Sequence, residues 1–126
     1  MPEKKRILIV DDEEAFGIMV KFNLEEIGDY EVRAETKGRR AMAAIKEFKP
    51  DLVFLDIIMP DLSGVDVFTE IKGYVESHSI PVVFLTAIVN DKDVAAKMGS
   101  IGGRTFLAKP ITTEKLIACI QDQTGG

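Results

Sequence analysis

Cysteine is almost absent from this chain: Cys119 is the only one among 126 residues. No intrachain disulfide can form, and with a single histidine no structural Cys/His zinc site can be built. Long hydrophobic runs are missing too. Ile7-Leu8-Ile9-Val10 is typical of the longest aliphatic runs, whereas a membrane-spanning helix needs roughly 20 apolar residues. The charged start Met1-Pro2-Glu3-Lys4-Lys5-Arg6 has no apolar signal core behind it. Positive charge is in deficit, with 16 Lys and Arg against 21 Asp and Glu and a net charge of −5. That balance excludes the basic face on which direct nucleic-acid binding depends. There is no Gly-x-Gly-x-x-Gly and no Walker lysine motif, which argues against nucleotide binding. What is present has an ordinary globular balance, 46% apolar and 29% charged. The length suits one domain over residues 1–126. The expectation is a soluble, cytoplasmic protein without a membrane segment.

Five short β-branched and aliphatic runs stand out, at 6–10, 30–35, 51–55, 81–85 and 105–108. The first, third and fourth are almost wholly apolar, as strands buried on both faces of a parallel sheet would be. Helical periods lie between and after them. Phe16, Met19, Val20, Leu24 and Ile27 form one stripe, and Ala41, Ala44, Ile45 and Phe48 a second. Val65, Phe68, Ile71 and Val75 form a third. A shorter stripe holds Val94, Ala95 and Met98, and a last one Leu116, Ile117 and Ile120. Gly28 and Lys49-Pro50 mark the ends of the first two helices. Five βα repeats predict an α/β fold: a single five-stranded parallel sheet, doubly wound as (βα)5, with right-handed crossovers.

Polar residues follow four of the five runs: Asp11-Asp12-Glu13-Glu14, Asp56, Thr86 and Lys109. In doubly wound sheets, ligands sit at the carboxyl ends of strands where the strand order reverses. An order of 2-1-3-4-5, taken by analogy with flavodoxin-like folds, would bring Asp11, Asp12 and Asp56 into one pocket. Taken singly, each residue has a plainer reading. Asp11-x-x-Glu14 resembles a helix capping box, Thr86 can simply end a strand, and Lys109 can be a surface lysine. Together, in order, at the strand ends, they form a pattern. Three adjacent carboxylates raise one another's pKa unless a cation sits among them. A hard cation such as Mg²⁺ suits an all-oxygen set.

These residues resemble the receiver domain of two-component response regulators. The resemblance is carried by Ile7-Leu8-Ile9-Val10-Asp11-Asp12-Glu13, by Asp51-Leu52-Val53-Phe54-Leu55-Asp56-Ile57-Ile58-Met59-Pro60-Asp61-Leu62-Ser63-Gly64, by Pro81-Val82-Val83-Phe84-Leu85-Thr86-Ala87 and by Phe106-Leu107-Ala108-Lys109-Pro110. It implies a phospho-accepting switch. Asp56 takes a phosphoryl group from a phosphohistidine on a histidine kinase or histidine phosphotransfer protein. Asp12 and Asp56 ligate Mg²⁺, Asp11 helps directly or through water, and the Ile58 backbone carbonyl adds an oxygen. Lys109 and Thr86 contact the phosphoryl oxygens, Phe106 is the switch aromatic, and Lys109-Pro110 is a cis bond. Such a domain catalyses only its own phosphorylation and dephosphorylation. It signals to an output partner, which the sequence does not identify, through the face of its fourth helix, fifth strand and fifth helix, here near Lys97, Arg104 and Lys115.

Some positions depart from the commoner family pattern. Arg104-Thr105 stands where an acidic pair often precedes the switch aromatic. Cys119 replaces a common arginine of the last helix, and Ile111 the usual Phe after Lys-Pro. Ile58 and Ile88 occupy positions flanking the path of an attacking water, where apolar side chains predict a long-lived phosphoryl group. Two other readings compete. One is a Mg²⁺-dependent hydrolase of the haloacid dehalogenase type, which usually carries a cap domain. The other is a phosphorylation-independent interaction module, which usually lacks one of the acidic or lysine positions.

Overall fold

The structure, a computed structural model, describes residues 3–87 and 105–125. Five strands, β1 (Lys5–Val10), β2 (Tyr30–Glu35), β3 (Leu52–Asp56), β4 (Val82–Thr86) and β5 (Phe106–Ala108), form one sheet. Every pairing is parallel and the order is β2-β1-β3-β4-β5. The helices are α1 (Glu14–Ile27), α2 (Ala41–Phe48), α3 (Gly64–Ser77) and α4 (Thr113–Thr124), with a 3₁₀ turn at Gly38–Arg40. The predicted stripe at Val94, Ala95 and Met98 lies outside the described residues, as do Ile88, Lys97 and Arg104. None of the described helices is long and apolar enough to cross a membrane.

Alternation along the strands builds two cores. Ile7, Ile9, Leu52, Phe54, Val83 and Leu85 face α1 and α4, where Val20, Leu24, Leu116, Cys119 and Ile120 meet them. Leu8, Val10, Val53, Leu55, Val82 and Phe84 face α2 and α3, against Ala44, Ile45, Phe68, Ile71 and Val75. Because the sheet is covered on both sides, its central strands are apolar without interruption. The helices end as local chemistry requires. Gly28 (φ 96°) and Lys49 (φ 56°) adopt the left-handed conformation that closes α1 and α2. Ser63 and Thr112 cap α3 and α4 by accepting from the Asp66 and Lys115 N–H groups.

The α1 stripe differs from the expected one. Its buried residues are Gly17, Val20 and Leu24, while Met19 and Ile27 are exposed. Gly17 explains the rotation, since a Cβ there would lie 3.1 Å from the Ala34 side chain on β2. Gly17 thus sits directly against β2, and Met19 turns away.

Candidate functional site

Strand register places the predicted polar residues at one edge. Val10 pairs with Leu55, Asp56 with Leu85, and Thr86 with Ala108. The residues just beyond, Asp11, Ile57 and Lys109, continue the ladder. Their N–H groups donate to the carbonyls of Glu35 (2.9 Å), Leu85 (2.9 Å) and Thr86 (2.8 Å). Asp11, Asp12, Asp56, Thr86 and Lys109 are thus held by backbone geometry at the carboxyl ends of adjacent strands. The loop after Asp56 closes through a 2.7 Å hydrogen bond from Gly64 N–H to the Ile57 carbonyl. Gly64 is needed there because a Cβ would lie 2.2 Å from the Asp56 carbonyl oxygen.

Asp11, Asp12 and Asp56 each present a carboxylate oxygen, and these oxygens lie within 4.8 Å of one another. Asp11 and Asp56 are 2% and 4% exposed, and Thr86 is buried beside them. Burial, then the negative charge of Asp11, pushes the Asp56 carboxyl up to about 7. A shared hydrogen bond with Asp12 adds to this. Lys109 and the Ile58 N–H, 3.3 Å from Asp56 Oδ1, pull the other way. The Lys109 ammonium approaches Asp11 Oδ2 at 2.7 Å, Glu13 Oε1 at 2.6 Å and Asp56 Oδ2 at 3.7 Å. Burial lowers its proton affinity, but the Asp11 and Glu13 carboxylates outweigh this and hold it above the ordinary lysine range. Its contact with Asp11 Oδ2 is an ion pair, and that buried oxygen has no hydrogen-bond donor.

These features fit a divalent cation. The oxygens are hard donors, one is buried without a hydrogen bond, and the cluster carries more negative charge than Lys109 alone balances.

Several plainer readings are corrected. Asp11 and Glu14 form no capping box: the N-cap of α1 is Glu13, without a side-chain bond, and Asp11 Oδ1 instead accepts from Glu13 N–H at 2.9 Å. Lys109 is not a surface lysine. The Lys109-Pro110 bond is cis, as expected. Ile58 sits on the rim with its side chain half exposed, and Phe106, 38% exposed, stands partly in solvent beside Phe84. Glu13 and Phe16, whose ring centroid lies 4.8 Å from Lys109 Nζ, also belong to the site. The sequence places Glu13 in an acidic run and Phe16 in a helical stripe, and neither pattern carries the position of Lys109.

A doubly wound sheet thus carries an acidic cluster and a facing lysine at its carboxyl edge. Residues 7–121 match the response regulator receiver domain, and the chain belongs to that family. Solved structures agree. The receiver domain of a signal transduction histidine kinase from Syntrophus aciditrophicus is 30% identical, with a TM-score of 0.82 over 97% of this chain and 91% of that one. The chemotaxis protein CheY4 of Vibrio cholerae is 25% identical, with a TM-score of 0.81 over 94% and 98%. The beryllofluoride-activated N-terminal receiver domain of Klebsiella pneumoniae RstA is 25% identical, with a TM-score of 0.81 over 97% and 100%.

Proposed function

We propose that Asp56 accepts a phosphoryl group from a phosphohistidine of a histidine kinase or histidine phosphotransfer protein. The observation that carries this reading is the burial of Asp56 among two carboxylates and one ammonium at the end of β3. An Asp56 oxygen attacks phosphorus in line. The phosphorus–nitrogen bond breaks as the phosphorus–oxygen bond forms, and the imidazole nitrogen keeps the electron pair and takes up a proton. Asp11, Asp12, Asp56 and the Ile58 carbonyl would hold Mg²⁺, which supplies neutralisation of the phosphoryl oxygens. Lys109 neutralises charge from the opposite side, and the Thr86 hydroxyl donates to a phosphoryl oxygen. The inward movement of Thr86 leaves space for Phe106, and the face of β5 and α4, with Lys115, changes shape for an output partner. Attack of water on the acyl phosphate resets the domain, so its only chemistry is on itself.

Acetyl phosphate with Mg²⁺, followed by intact-mass measurement, tests the reading. The wild type gains about 80 Da, the mass of one phosphoryl group, and Asp56→Asn gains nothing. An adduct that persists in Asp56→Asn overturns the assignment. Rapid acetyl phosphate turnover without an adduct would favour a hydrolase.

A further inference from the structure

Lys109 is shared unequally. Its ammonium is 2.6 Å from Glu13, 2.7 Å from Asp11 and 3.7 Å from Asp56. Glu13 belongs to the solvent side of this trio: its side chain is 62% exposed, against 10% for Lys109 and 1% for Asp11. The Glu13 backbone begins α1, its carbonyl accepting from Phe16 and Gly17 N–H, but its side chain makes no capping bond. Its carboxylate is committed to Lys109. The Phe16 ring stands beside the same ammonium. Glu13 and Phe16, both at the start of α1, thus hold the cation on the outer side of the pocket.

We propose that Glu13 is a positioning residue that restrains Lys109 away from the phosphoacceptor in the resting domain. The inference rests on Asp56 being that acceptor. An ammonium has three N–H donors and no acceptor. One of them here serves Glu13, Asp11 is held as an ion pair at 2.7 Å, and Asp56 at 3.7 Å lies beyond hydrogen-bond distance. To meet a phosphoryl oxygen on Asp56, Lys109 exchanges Glu13 for the phosphoryl group. The Glu13–Lys109 pair therefore opposes phosphorylation, and its loss leaves Lys109 free to move inward. The contact depends on reach as well as charge. An aspartate at position 13 keeps the charge one methylene short of Lys109.

The test compares wild type, Glu13→Gln and Glu13→Asp as whole chains. Three quantities are read: beryllofluoride affinity at saturating Mg²⁺, Mg²⁺ affinity alone, and the proton-exchange rate of the Lys109 ammonium by ¹⁵N NMR. Both variants should bind beryllofluoride roughly three- to fivefold more tightly, the scale of a solvent-exposed ion pair. Mg²⁺ affinity should stay within about twofold, because the change acts through the lysine and not through a metal ligand. The ammonium should exchange faster in both variants and slow again when beryllofluoride is bound. Unchanged or weaker beryllofluoride binding in Glu13→Gln overturns the proposal. So does wild-type behaviour in Glu13→Asp, which would assign the effect to general charge. A wild type that fails to bind beryllofluoride would instead overturn the phosphoacceptor reading on which the proposal rests.

Discussion

Asp56 is the residue whose proposed role costs the fold most directly. An aspartate in an unfolded chain titrates near 3.9, and burial with the Asp11 charge raises Asp56 to about 7 in the fold. The folded state therefore binds this proton more tightly than the unfolded one. Its stabilising effect is complete below about pH 4 and is lost as pH rises through about 7. Without metal, Asp56→Asn should melt several degrees above wild type at pH 8, on the order of 2 kcal/mol, and the gap should close toward pH 4. Thermal melts in EDTA across that range check it, and an equal gap at both ends would be incompatible with the raised pKa. If Asp56 is the phosphoacceptor, Ile58 should act on lifetime rather than stability. Its half-exposed side chain at the rim cannot orient a water for attack on phosphorus. Replacing it by Asn should speed phosphoryl loss roughly tenfold, about 1.4 kcal/mol of barrier. The decay of phosphorylated wild type and Ile58→Asn, followed in Mg²⁺, decides this.

Among the elements, α1 has an unusual division of labour. Gly17, Val20 and Leu24 face the sheet, yet Ile18 and Phe22, on nearly the opposite side, are 59% and 66% exposed. Elsewhere on the same helix a groove of about 530 Å³ runs between Phe16, Met19, Pro110 and Ile111, with Lys109 in its wall. The groove reaches Lys109, so a phosphohistidine donor for Asp56 would approach past this end of α1. Serine at positions 18 and 22 together should slow transfer from a phosphohistidine protein about tenfold or more, through loss of apolar contact. Phosphorylation by acetyl phosphate should be unchanged, and equal slowing with both donors would rule out docking. This second apolar face also explains why the α1 stripe was only partly legible. Periodicity finds apolar residues at helical spacing, and a helix with two such faces offers Met19 and Ile27 as readily as Gly17.

At the scale of the whole molecule, legibility followed burial. The strands of the sheet's interior read as unbroken apolar runs, so their limits fall within one residue of the sequence estimate. Asp11, Asp56 and Thr86 stood out because each ends such a run, and Lys109 because it follows the short run of the edge strand. Strand order was not contained in periodicity and came by analogy. Glu13 escaped because its partner, Lys109, is 96 residues away, and local spacing holds no information about that approach. The switch is tested at this same scale. Beryllofluoride should shift amide signals beyond the Asp56 pocket into β5 and α4, from Phe106 through Ile120. Changes confined to the pocket would refute the coupling of Thr86 to Phe106.

The edge strand that carries Lys109 has only three residues, Phe106–Ala108, and none of them is fully buried. Elements with few buried contacts open locally at a small fraction of the global unfolding energy. Each such opening would withdraw the ammonium from Asp11, Glu13 and Asp56 while the rest of the sheet stays intact. A phosphoryl group bridging Asp56 and Lys109 would tie this strand to β3 across β4, and binding to the closed form alone would lower the open population by mass action. Hydrogen exchange at Phe84 and Lys109, whose N–H groups donate to the carbonyls of Thr105 and Thr86, would then record phosphorylation as a slowing of the edge's opening.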